Sequence, residues 1–89
     1  MTMSAGGLNK LMEECGELVQ IAAKKAAFPS AITHADGENI NDRLENEMAD
    51  VFAAAHFVCS KFNLDKQRIN ARVDCKLAQY NRWDADPNA

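Results

Sequence analysis

The chain has no apolar run near the roughly 20 residues that a bilayer crossing requires. Its first residues, Met1 to Gly7, are small and uncharged, unlike the charged-then-apolar leader of a secreted protein. A cytoplasmic chain with no membrane partner is therefore expected. Basic excess is absent as well. The formal net charge is −3 and the pI about 5.2, which leaves no basic face for a nucleic-acid polymer. Cysteine is scarce: Cys15, Cys59 and Cys75 are odd in number and lack CxxC spacing, which argues against a disulfide framework. Each lies in an apolar helical stretch and reads as a reduced core residue. No base stands near any of them in sequence, which argues against a cysteine nucleophile. Runs of β-branched residues and period-two alternation do not persist beyond a few residues, so strands are not expected. Internal repeats and low-complexity tracts are also missing.

What remains is helical periodicity. Leu8, Leu11, Met12, Cys15, Leu18, Val19, Ala22 and Ala26 recur at helical spacing and predict a helix from about Leu8 to Ala27. Phe28-Pro29 ends it, because a residue before proline is pushed out of the helical region. The stretch from Pro29 to Asn39 has no period and reads as a loop. Leu44, Met48, Val51, Ala55, Val58 and Phe62 alternate steps of four and three and predict a second helix ending near Asn63. Asn39 or Asn41 can cap it. Asp65 is a plausible cap for a third helix carrying Ile69, Val73, Leu77 and Tyr80. Residues 1–7 and 84–89 read as flexible ends. The 89 residues thus predict one all-α domain, a small bundle of three main helices. A monomer of that size buries only about 60–65% of its unfolded surface, so completion by homo-oligomerisation is expected.

Two pairs of acids stand out on these helices. Glu14/Glu17 and Glu47/Asp50 have i, i+3 spacing, which places like charges together on one helix face at a cost of a few tenths of a kcal/mol. At about 100° per residue, Glu14 lies beside the Leu11/Leu18 edge of its stripe, and Glu47 lies against Val51 and Val58. The acids therefore border the apolar face instead of opposing it, where carboxylates are costly unless paired or metal-bound. Both sets are displaced in the same rotational sense. In an antiparallel pair of helices, that brings them to the same side of the seam and to similar heights. Four carboxylates would then converge. Hard oxygen ligands without sulfur or imidazole suit Mg²⁺, or Mn²⁺. Acid-rich helices facing solvent are common, and either pair alone would carry little. A ferritin-like di-iron site is excluded, because it needs Glu-x-x-His and the residues three before His34 and His56 are Ala31 and Ala53. Both histidines read as surface residues.

The segments EECGE (Glu13 to Glu17) and ENEMADV (Glu45 to Val51) resemble the EExxE…ExxD signature of MazG-like nucleotide pyrophosphohydrolases, in the all-α NTP pyrophosphatase superfamily. The likeness extends from Leu8 to about Trp83 and ends in KLAQYNRW. It implies a Mg²⁺-dependent enzyme that cuts nucleoside triphosphates to the monophosphate and pyrophosphate, serving control of the nucleotide pool. It implies Glu14, Glu17, Glu47 and Asp50 as metal ligands and Glu13 as the residue that orients or deprotonates the attacking water. It implies Lys76, Asn81 and Arg82 as phosphate contacts, with Lys24 and Lys25 as weaker candidates. Trp83 and Phe28 are candidates for stacking on a base or for plain packing. Family members commonly carry another helix before the EExxE helix, and here only Met1 to Gly7 precede it. That difference points to an intersubunit site in a homodimer or homotetramer. The alternative class is a non-catalytic helical oligomerisation or interaction module with a vestigial metal site.

Overall fold

The structure, a computed structural model, describes residues 3–33 and 37–88. His34 and Asp36 lie outside the described residues. Three helices follow one another: α1 over Leu8–Ala27, α2 over Ile40–Lys61 and α3 over Lys66–Ala85. No strand occurs among the described residues; an isolated antiparallel bridge joins Thr33 and Asn39 in the α1–α2 connection. No helix is long and apolar enough to cross a membrane.

Local signals set the helix ends. Before α1, Ser4–Gly7 forms a 3-10 turn where a loose terminus was expected. Gly7 caps α1 with φ of +90°, and a Cβ there would lie 2.7 Å from Phe57 of α2. Only glycine meets both demands cheaply, so the turn lies directly on α2. Asn39 caps α2, its Oδ1 accepting from the Asp42 amide at 3.0 Å. Asp65 caps α3 in the same way, through the Arg68 amide at 3.0 Å. Asn63 is left-handed (φ 50°), and the Leu64 amide donates to Cys59 O at 3.0 Å. That Schellman-type closure ends α2 and turns the chain into α3 within a few residues. Helix α3 runs through Ala85, so the irregular tail begins at Asp86, two residues later than the sequence suggested.

Helices α1 and α2 form an antiparallel hairpin, with the start of α1 against the end of α2. Its core is narrow: Ile21, Ile40, Ala54 and Val58 are the buried apolar side chains. The face of α1 that meets α2 is centred on Glu14 and Ile21. The apolar stripe read from the sequence is centred between a quarter and a third of a turn away: its Leu11 and Leu18 edge is half-buried, and Met12 and Val19 are 64% and 67% accessible. On α2 the packed face runs through Glu47, Ala54 and Val58, so the expected stripe is partly used there: Val58 is buried, Leu44, Val51 and Ala55 are half-buried, and Met48 and Phe62 are exposed. The expected core role of the cysteines fails for the same reason: Cys15 and Cys75 are exposed and Cys59 is half-buried, all free. Helix α3 buries none of its side chains. The chain is a flat layer of 40 × 40 × 15 Å with a radius of gyration of 15.9 Å. A compact chain of this length has a radius near 12 Å.

Candidate metal centre

The hairpin carries carboxylates in its middle because both helices turn their acid-bearing sides to the seam. Glu14, in the second turn of α1, is 7% exposed. Opposite it, α2 presents half-buried Glu47 and, one turn on, exposed Asp50. One carboxylate oxygen from each of Glu14, Glu47 and Asp50 lies within 4.8 Å of the other two. Oxygens bound to one octahedral Mg²⁺ at 2.0–2.1 Å are about 2.9 Å apart when adjacent and about 4.2 Å when opposite, so side-chain rotations that draw the three together would be needed to close the set.

Polar bookkeeping at this point is incomplete. Glu14 Oε2 and Glu47 Oε2 are buried and have no hydrogen-bond partner. A buried, unpaired carboxylate oxygen is among the costliest groups a fold can hold. Three clustered acids with two orphaned oxygens fit a hard divalent cation, which would satisfy the oxygens and offset the charge in one step.

The other oxygens of the buried pair do have neighbours. Lys10, one turn before Glu14, places Nζ 3.2 Å from Glu14 Oε1 and 3.3 Å from Glu13 Oε1. These carboxylates, Glu14 first and then Glu13, hold the Lys10 ammonium above its ordinary pKa of 10.5, against a smaller opposing effect of burial. Arg43, one turn before Glu47, places Nε 4.0 Å from Glu47 Oε1 and a second guanidinium nitrogen 3.5 Å from Glu38. Neither cation was singled out from sequence. The legible signal was a basic residue four positions ahead of each buried glutamate, repeated on the two helices.

The remaining candidates are placed less closely. Glu17, one turn beyond Glu14, is half-buried and does not join the three-acid cluster. Glu13 faces outward, its side chain 54% exposed. On α3, Lys76 and Arg82 line a shallow cleft of about 200 Å³ with Arg72, Cys75 and Gln79. Lys76 Nζ donates to Gln79 Oε1 at 3.2 Å. Asn81 does not line that cleft; at about 100° per residue it lies about 140° round α3 from Lys76 and about 100° from Arg82. No carboxylate of the cluster lines it either, so the two groups of candidates stay apart within one chain. His56 is exposed and, with Phe52, Cys59, Ile69 and Val73, lines an apolar groove between α2 and α3. Lys24 and Lys25 are half-buried near the end of α1. Phe28 is exposed in the connection, and Trp83 pairs with Tyr80, ring centroids 5.9 Å apart. No family model, curated protein or solved structure matches the chain.

Proposed function

We propose that the chain is a Mg²⁺-dependent nucleoside triphosphate pyrophosphohydrolase, converting a nucleoside triphosphate and water to the monophosphate and pyrophosphate. The observation that carries this reading is the seam cluster of Glu14, Glu47 and Asp50, with two of its oxygens buried and unpartnered. The resemblance of EECGE and ENEMADV to the MazG-like signature supplies the reaction class. Glu14, Glu47 and Asp50 would hold the ion, with half-buried Glu17 on the next turn of α1 as a further carboxylate of the same helix. A divalent cation bound there supplies charge neutralisation for a polyphosphate and acidifies nearby water. Glu13 stands beside the cluster on the solvent side, where a carboxylate can hold a water and take its proton. Mn²⁺ has the same preference for oxygen ligands and is the natural substitute.

Self-association belongs to this reading. The accessible surface is 6749 Å². A compact monomer of this mass exposes roughly 5150 Å², so the excess is about 1600 Å². A standard interface takes about 800 Å² from each partner, so the excess is enough for two. Domains need two packed layers around a core, and a single flat layer with exposed apolar side chains on α1, α2 and α3 has one. Charge also segregates: α3 carries five basic and two acidic residues, while the whole chain is −3. A homodimer or homotetramer in which α3 of one copy lies on the acidic hairpin of another satisfies both needs. Only in such an assembly do Lys76 and Arg82 serve as phosphate contacts.

A screen of the purified protein against canonical and modified nucleoside triphosphates with Mg²⁺ tests the activity. Equal yields of monophosphate and pyrophosphate are expected from at least one substrate. No turnover of any triphosphate would sink the enzymatic reading. It would leave the second one, a helical oligomerisation module with a vestigial metal site, which the separation of Lys76 and Arg82 from the acids favours.

A further inference from the structure

We propose that Lys10 and Arg43 are built-in counter-cations that hold the buried carboxylates while the site is free of metal, and that a divalent ion must displace them to bind. This rests on reading Glu14, Glu47 and Asp50 as a metal centre. Glu14 and Glu47 each have one oxygen facing a basic side chain and a second, buried oxygen with no hydrogen-bond partner. Lys10 Nζ is 3.2 Å from Glu14 Oε1, and Arg43 Nε is 4.0 Å from Glu47 Oε1. The opposite oxygens, both named Oε2, are buried and unpartnered. The cations thus meet only half of the polar demand at each glutamate.

The arrangement is not what helix stability alone would select. In i, i+4 pairs the better order has glutamate before the basic residue. Both pairs here have the reverse order, Lys10 before Glu14 and Arg43 before Glu47. Both cations also have a second acidic neighbour to fall back on: Glu13 at 3.3 Å for Lys10 and Glu38 at 3.5 Å for Arg43. Each can release its buried glutamate without becoming an unpaired charge. On release, both remain within about one helical turn of the carboxylates, where they face any anion that the metal brings in. One pair of residues therefore acts with opposite sign on two ligands, against the metal and for a polyphosphate.

Titration of Mn²⁺, followed by electron paramagnetic resonance of the free ion, tests this without any turnover. Lys10→Met and Arg43→Met should each bind Mn²⁺ at least threefold more tightly than the wild type. Lys61→Met is the control for lost positive charge. Exposed Lys61 lies eleven residues beyond Asp50, about 16 Å along α2 from the cluster, past the screening length of about 8 Å at physiological salt. Its Mn²⁺ affinity should match the wild type. With Mn²⁺ saturating, inorganic tripolyphosphate should bind Lys10→Met and Arg43→Met at least threefold more weakly. Unchanged or weaker Mn²⁺ binding in either variant overturns the proposal, as does tripolyphosphate binding that ignores both. If the wild type and every variant bind no Mn²⁺, the metal centre itself is wrong and the proposal falls with it. Binding that is present but indifferent to the substitutions removes the proposal alone.

Discussion

Glu47→Gln replaces one charged oxygen of the seam cluster with an amide of nearly equal size, so packing is kept and charge is lost. Glu47 shares the cluster with Glu14 and Asp50, oxygens within 4.8 Å of one another. At an effective dielectric constant of about 20, two like charges at that separation repel by about 3.5 kcal/mol. Glu47 takes part in two such repulsions. One attraction opposes them, to Arg43 at 4.0 Å, worth about 4 kcal/mol on the same scale. Asp50 and part of Arg43 meet solvent, which shrinks both terms, and the balance is on the order of 1 kcal/mol in favour of the neutral amide. Metal-free Glu47→Gln should therefore melt about 4–8 °C above the wild type. Saturating Mg²⁺ should reverse the order, because it raises the wild type by binding only the folded state and finds one charged ligand fewer in the variant. Glu45→Gln is the control, exposed and about 160° round α2, and it should shift stability by less than about 0.5 kcal/mol with or without Mg²⁺. Thermal unfolding by circular dichroism at one fixed protein concentration reads all of these. Equal behaviour of the two variants, or a metal-free Glu47→Gln that melts below the wild type, would refute the reasoning. Pyrophosphate release should vanish in Glu47→Gln and persist in Glu45→Gln.

Gly7→Ala forces a Cβ to 2.7 Å from Phe57 at a left-handed φ of +90°, and should cost about 1–3 kcal/mol, read as a lower melting temperature. Gly16→Ala, at an exposed mid-helix position with nothing within 4 Å of the added Cβ, should instead gain about 0.5–1 kcal/mol. Glu14 and Glu13 raise the Lys10 pKa above 10.5, so its contribution to stability is complete below that pH and fades as pH rises through the higher folded-state value. Wild-type stability should fall more steeply above pH 10.5 than that of Lys10→Met, and parallel curves would contradict the pairing. Light scattering at micromolar protein should give a dimer or larger, and Val73→Asp on the exposed face of α3 should reduce it; a fully helical wild-type monomer would contradict the assembly.

The helices themselves were legible in the chain. The proline after Phe28, the caps Asn39 and Asp65, and the 3.6-residue period fixed three helices, because these signals act within a few residues and need no partner. The sequence also brought Glu14, Glu47 and Asp50 under suspicion, since their spacing and offset can be read on a helical wheel. Which face of each helix is buried depended on how the helices pack on one another. The apolar stripes were the stronger signal, yet α1 packs through its acid-bearing face and leaves Met12 and Val19 in solvent, while the packed face of α2 joins Val58 of the stripe to Glu47 and Ala54. A helical wheel gives the angle between two faces but not which of them meets a neighbour, and that depends on the angle at which the helices cross and on close approach at Ala54 and Gly7. The same limit hid the roles of Lys10 and Arg43 and separated Glu17 from the cluster. Whether a side chain one turn away reaches an oxygen depends on the rotamer and on the depth of the seam, and both exist only once two helices are in contact.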